Sequence, residues 1–174
     1  GWLHAAILVV ALQIILGGWV STNYAALACN DFPLCQGSLA PPAGLSEALR
    51  PDRELGYSAS GELLSTEHLA SIHYLHRLGA LLVLLVLGRL IWQLRQARPR
   101  LALALVAALS LQIALGVANV LLSLPLTLAV AHNGGAALLI GILVYAISTN
   151  NQQAIPIETN SSIDMKYRSL KRFA

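Results

Sequence analysis

The sequence predicts an all-α membrane protein, a transmembrane four-helix bundle built from two similar helical hairpins. Three observations carry that expectation. Of 174 residues 56% are hydrophobic and only 11% are charged, with a mean hydropathy of +0.66, too apolar for an ordinary water-soluble domain of this length. Four continuous apolar stretches meet the requirement of about 20 residues for a helix crossing a hydrocarbon core roughly 30 Å thick. The stretches also echo one another in pairs, first with third and second with fourth. Spanning strands would be shorter and would alternate in polarity, whereas these runs are continuous and rich in Leu and Ala.

The first stretch, Trp2 to about Ser21, has His4 as its sole ionisable residue. The second, about Leu69 to Trp92, contains His73, His76, Arg77 and Arg89. The third, Leu101 to Leu124, has no charge, and the fourth, about Leu126 to Ser148, carries only His132. Together they define a membrane domain over 1–148 with a long loop at 22–68. In that loop Pro33, Pro41, Pro42, Gly44 and Pro51 interrupt regular structure, and a short surface helix is expected from about Ser60 into His68. The tail, 149–174, is polar, rich in Asn, Gln and Ser, and expected to be poorly ordered.

Basic residues set the orientation. Arg95, Arg98 and Arg100 lie between the second and third spans, and Lys166, Arg168, Lys171 and Arg172 follow the fourth, so an even number of spans places both groups on one side. The positive-inside rule makes that side cytoplasmic, with both termini there and the 22–68 loop outside. The loop agrees, holding Asp31, Glu47, Asp52, Glu54, Glu62 and Glu67 against Arg50 and Arg53. The pI of about 9.1 then reflects topology and lipid contact, not a nucleic-acid surface. The chain opens on Gly1-Trp2 without a basic leader, which reads as a fragment, loss of an initiator Met before Gly being the alternative.

The internal echoes are Leu12-Gln13-Ile14-Ile15-Leu16-Gly17 with Leu111-Gln112-Ile113-Ala114-Leu115-Gly116, and His76-Arg77-Leu78-Gly79-Ala80 with His132-Asn133-Gly134-Gly135-Ala136. The repeated unit is a helical hairpin. Repeats of this kind place equivalent side chains at equivalent depths about a pseudo-symmetry axis.

Ionisable side chains within a bilayer point to function when a partner can be named. His76 and His132 lie about seven and six residues into spans that run in the same direction, so at about 1.5 Å per residue their depths match. Gly79 and Ala80 follow His76 on its helix face, and Gly135 and Ala136 follow His132. Small residues below two facing imidazoles leave a slot that suits a heme with one histidine on either side of the iron. Close helix packing with hydrogen-bonded histidines is the alternative.

Arg77 adjoins His76 and is suited to a heme propionate, or to snorkelling toward the interface. His73 lies one turn outward and is assigned to the pocket edge. His4 and His68 stand near span ends and are expected to be incidental. Gln13, Gln112 and Asn119 are expected to make interhelical hydrogen bonds. Cys29 and Cys35 are the only cysteines, and an oxidising outer compartment favours a disulfide over a metal site that lacks further soft ligands.

These residues also carry a family resemblance. The run Gly17-Gly18-Trp19-Val20-Ser21-Thr22-Asn23-Tyr24, the Cys29 to Cys35 segment, Ile72-His73-Tyr74-Leu75-His76-Arg77-Leu78-Gly79-Ala80 and Val130-Ala131-His132-Asn133-Gly134-Gly135 together resemble the C-terminal half of proteobacterial heme A synthases, over residues 1 to about 148. The resemblance implies an eight-helix enzyme of two similar halves in the bacterial inner membrane. That enzyme oxidises a methyl group of heme O to the formyl group of heme A for assembly of cytochrome c oxidase. It implies heme B as cofactor, with His76 and His132 as iron ligands. It also implies an N-terminal half, or a second copy, as partner, and heme O synthase as a source of substrate. The N-terminal half of the family carries an essential carboxylate three residues before its first ligand. Here that position is His73, so no catalytic residue is assigned. Competing readings are a small b-type electron-transfer cytochrome and a non-enzymatic membrane module with structural histidines.

Overall fold

The computed structural model describes residues 1–50, 52 and 54–153. Among them there is no extended strand, and four helices are long and apolar enough to span a membrane. These are α1 (Trp2–Thr22), α3 (Thr66–Ala97), α4 (Pro99–Leu121) and α5 (Leu126–Gln153), with the single-turn α2 at Leu45–Ala48 in the loop. The polar tail expected over 149–174 is helical as far as Gln153, and the rest of it, with Lys166, Arg168, Lys171 and Arg172, lies outside the described residues.

The spans differ from hydropathy-based bounds at their ends, for local reasons. Helix α3 starts at Thr66, so of the short surface helix expected from about Ser60 into His68 only the last residues are helical, as the first turn of the span itself. Ser65 caps that turn, its Oγ lying 3.4 Å from the His68 N–H, while His68 Nδ1 reaches back to the Ser65 N–H at 3.3 Å. His68 thus plays the part usually taken by Glu or Gln in a reciprocal cap. At the other end α3 runs to Ala97, and Arg98 alone separates it from α4, which opens on Pro99, a residue preorganised for the first helical position.

Helix α4 ends at Leu121, three residues short of the expected Leu124. Ser123 adopts left-handed φ of 58°, its N–H meeting the Val120 carbonyl at 3.3 Å, and the Leu124 N–H meets that of Asn119 at 2.7 Å. This pair of bonds is a Schellman ending, here with serine where glycine is usual.

The spans form an antiparallel ring. α1 packs on α3 and α4 on α5, and the ring closes through α3 with α4 and α1 with α5, so α3 and α5 stand on a diagonal. One half of the bundle is filled by Ala6, Val10, Val83, Leu87, Leu90, Leu105, Ala108, Leu109, Leu139 and Leu143. Their outward neighbours are apolar too: Leu85 and Leu103 are 63% and 69% exposed, as suits side chains solvated by lipid. The opposite end is closed by the loop, where Val20, Ala25, Ala48, Leu64 and Ile72 form a second cluster and Cys29, Cys35 and Ala70 a third. Tyr74 Oη donates to the Leu39 carbonyl at 3.1 Å, and Gly44 packs so closely that a Cβ there would stand 2.8 Å from the His68 nitrogen.

Candidate functional site

Between the filled half of the bundle and the loop cap lies a layer with no large buried apolar side chain. Its residues come in two matching sets. On the α1–α3 hairpin, Gln13 Nε2 donates to the His76 carbonyl at 3.0 Å and lies 3.1 Å from ring Nδ1 and 3.4 Å from Nε2. On the α4–α5 hairpin, Gln112 Nε2 donates to the His132 carbonyl at 3.0 Å and lies 3.3 Å from ring Nε2.

The glycines repeat as well. A Cβ on Gly17 would stand 3.3 Å from His76 Cε1, and one on Gly116 would stand 3.1 Å from His132 Cε1. A Cβ on Gly79 would collide with the Gln13 amide oxygen, and one on Gly135 with that of Gln112. Each ring is therefore flanked by a glycine on the neighbouring helix, and each amide oxygen occupies space vacated by a glycine one turn below its histidine. The hairpin repeat read from short sequence echoes is a repeat of geometry.

His76 and His132 stand on the diagonal helices α3 and α5. Gln13 Oε1, Gln112 Oε1 and His132 Nδ1 are buried without hydrogen-bond partners, as are His73 Nδ1 and Arg77 Nε just outward. Buried polar atoms are nearly always paired. Five such atoms gathered around one layer mark a place where polar side chains await something more than one another.

His73 is buried, one turn outward from His76, against the backbone of Ala25. Arg77 turns to the loop, where its guanidinium donates to the carbonyls of Leu34 at 2.6 Å and Cys29 at 3.0 Å and lies 5.9 Å from the centre of the Phe32 ring. Cys29 and Cys35 are joined as a disulfide. Asp31 completes the small loop by accepting from the Gly37 N–H at 2.7 Å and the Gln36 N–H at 2.9 Å. These donors, Gly37 first, hold its carboxyl below the usual carboxylate range. Outside the layer, Asn119 is buried with Oδ1 unpaired, so the expected interhelical bond from that atom is not formed.

The model of the cytochrome oxidase assembly protein family, COX15-CtaA, matches residues 1–144. The chain belongs to that family. It is 42% identical over 135 residues to the heme A synthase of Shewanella oneidensis, an alignment covering 76% of this chain and 41% of that protein. It is 33% identical over 148 residues to the heme A synthase of Allorhizobium ampelinum, covering 82% of this chain and 38% of the relative. The heme A synthase of Rhodospirillum centenum is 32% identical over the same length, covering 82% and 37%. The chain thus spans about two fifths of the length of these relatives. No solved structure matches it.

Within this COX15-CtaA chain the sequence points to both histidines but not to what holds them. Gln13 and Gln112 read as generic interhelical donors, and their contact with the histidines emerges only when α1 docks on α3 and α4 on α5. The available signal was the echo itself, since each glutamine precedes a glycine by four residues.

Proposed function

We propose that this chain is the heme B-binding half of a heme A synthase, with His76 and His132 as the axial ligands of the heme iron. The observation that carries the reading is the duplicated layer, in which two histidines on diagonal helices sit among glycines and unpaired buried polar atoms. A porphyrin brings four nitrogens of its own, so two imidazoles complete the coordination.

The flanking residues take defined parts. Arg77 commits two nitrogens to loop carbonyls and keeps Nε, buried and unpaired, as a donor toward a propionate. His73, also with an unpaired nitrogen, borders the pocket. The Cys29–Cys35 loop covers its outer edge. Bound heme B supplies one-electron transfer, while the side chains of this half hold it, exclude water and fix its depth.

The complete enzyme oxidises the heme O methyl group to the formyl group of heme A for cytochrome c oxidase assembly, acting on substrate from heme O synthase. Its carboxylate-bearing N-terminal half, or a second copy, pairs with this bundle. The chain lies in the bacterial inner membrane among lipid, with both termini and the Arg95, Arg98 and Arg100 cluster on the cytoplasmic side.

The test is a reduced-minus-oxidised and pyridine hemochrome spectrum of the detergent-purified chain beside its His76→Ala and His132→Ala variants. A six-coordinate b-type signal lost in both variants supports the reading; wild-type protein that takes up no hemin overturns it.

A further inference from the structure

The span ends opposite the loop carry charge of one sign. Arg95, Arg98 and Arg100 stand there, while every acidic side chain among the described residues falls between positions 31 and 67, at the loop end of the bundle. Two of these arginines, Arg98 and Arg100, border a groove of about 530 Å³ on the seam between α4 and α5, lined further by Leu101, Ala104, Ile142 and Tyr145.

The lining changes character along the helices. Ala104 lies one turn from Arg100 toward the middle of α4, and Ile142 about one turn from Tyr145 toward the middle of the antiparallel α5. A charged mouth at the span ends therefore leads onto an apolar floor that continues into the hydrocarbon. The mouth also keeps its charge. Arg98 is half-buried, with its guanidinium held on α5 by the Ala146 carbonyl at 3.3 Å and Thr149 Oγ1 at 2.5 Å, and both acceptors are neutral. Arg100 is exposed and forms no salt bridge among the described residues.

These features select among ligands. A free anion uses the arginines and has no need of the floor, and a neutral acyl chain uses the floor and leaves the arginines uncompensated. A phospholipid with a negative head group uses both. Guanidinium meets phosphate oxygens through parallel hydrogen bonds, a tyrosine ring suits the head-group level, and basic pockets between spans are known recognition sites for anionic head groups. We infer that the α4–α5 seam at its Arg98 and Arg100 end is a binding site for an anionic phospholipid such as phosphatidylglycerol, with the phosphate at the two arginines and one acyl chain along Ala104 and Ile142. The site is separate from the histidine layer, since Leu105, Ala108, Leu109, Leu139 and Leu143 of the filled half lie between them on the same two helices.

The test is a lipid titration of the detergent-purified full chain, read by native mass spectrometry, with phosphatidylglycerol against phosphatidylcholine. Arg100→Gln removes charge at the mouth, Arg100→Lys keeps it, and Ala104→Phe fills the floor without touching charge; both positions are exposed, so the buried core is spared. Arg95→Gln, outside the groove and stacked on Trp92, removes the same charge at the same end. Wild-type protein is expected to retain phosphatidylglycerol in preference to phosphatidylcholine. A basic residue near an anionic head group contributes about 1 kcal/mol, so Arg100→Gln is expected to weaken retention about fivefold, Ala104→Phe to weaken it as well, and Arg100→Lys and Arg95→Gln to leave it near wild type. Equal retention of the two lipids by wild type overturns the inference. So does an Arg95→Gln loss as large as that of Arg100→Gln, because the attraction is then a diffuse property of the span ends, and so does an Ala104→Phe variant that binds like wild type, because the floor is then unused.

Discussion

The Arg77 guanidinium donates to the Leu34 carbonyl at 2.6 Å, bridging 43 residues from the middle of a span to the disulfide loop. With its second bond, to Cys29 at 3.0 Å, it fastens both ends of that loop beside His76. Arg77→Ala removes both, and hydrogen bonds to a charged group contribute about 1.5–3 kcal/mol each. The Cys29–Cys35 bond is therefore expected to be reduced faster by dithiothreitol in Arg77→Ala than in wild type, measured by alkylation and intact mass. Equal rates would show that the loop holds itself.

Gly79 and Gly135 are predicted to be sensitive to an added methyl, since a Cβ at either displaces the end of the glutamine side chain that is anchored beside it. Overpacking of this kind costs about 1–3 kcal/mol. Gly79→Ala and Gly135→Ala should each lower the midpoint of thermal unfolding in detergent. Gly18→Ala and Gly134→Ala, where an added Cβ meets nothing within 4 Å, should not.

Asp31 makes the outer loop sensitive to acid. Its carboxyl is held below the ordinary value of 3.8, first by the Gly37 N–H. A depressed folded-state pKa stabilises the folded loop above the unfolded value, and that gain disappears as pH falls through the folded one. Amide exchange at Gly37 should accelerate as pH drops below about 3.8, beyond the intrinsic trend, and Asp31→Asn should show the fast behaviour at neutral pH. An unchanged protection profile in Asp31→Asn would sink the assignment.

Arg98 is expected to tie the α3–α4 connection to α5, since it donates to the Ala146 carbonyl at 3.3 Å and to Thr149 Oγ1 at 2.5 Å. Arg98→Ala should destabilise the second hairpin by about 1–3 kcal/mol, the range for groups left unpaired or bonds lost to a charged donor. Limited proteolysis at the 97–100 link reads this directly. Arg100→Ala serves as the comparison.

The four spans are legible in sequence because lipid imposes a length and a composition that few other environments do. Their ends are not. Thr66, Glu67 and His68 add a polar first turn to α3 that hydropathy discards, and the reciprocal cap with Ser65 uses a histidine in place of the usual acid or amide. The end of α4 is hidden because serine, not glycine, occupies the left-handed position. At the site, His76 and His132 stand out as ionisable residues in apolar runs, whereas Gln13 and Gln112 do not. Their meaning depends on cross-helix register, a quantity no single helix encodes. Arg77 illustrates the same limit, since its contacts with Leu34 and Cys29 depend on a loop path that proline and cysteine spacing does not specify.

The matched layer has a consequence for biogenesis. Each hairpin satisfies its own backbone and contributes one ring-bearing histidine, one glutamine and one pair of glycines to the matched layer, so each is able to enter the bilayer as a separate unit. Neither contains both histidines of the proposed site. The proposed site would come into being only when the two hairpins meet, so a ligand spanning them would act as a clasp, making the last step of assembly dependent on its supply.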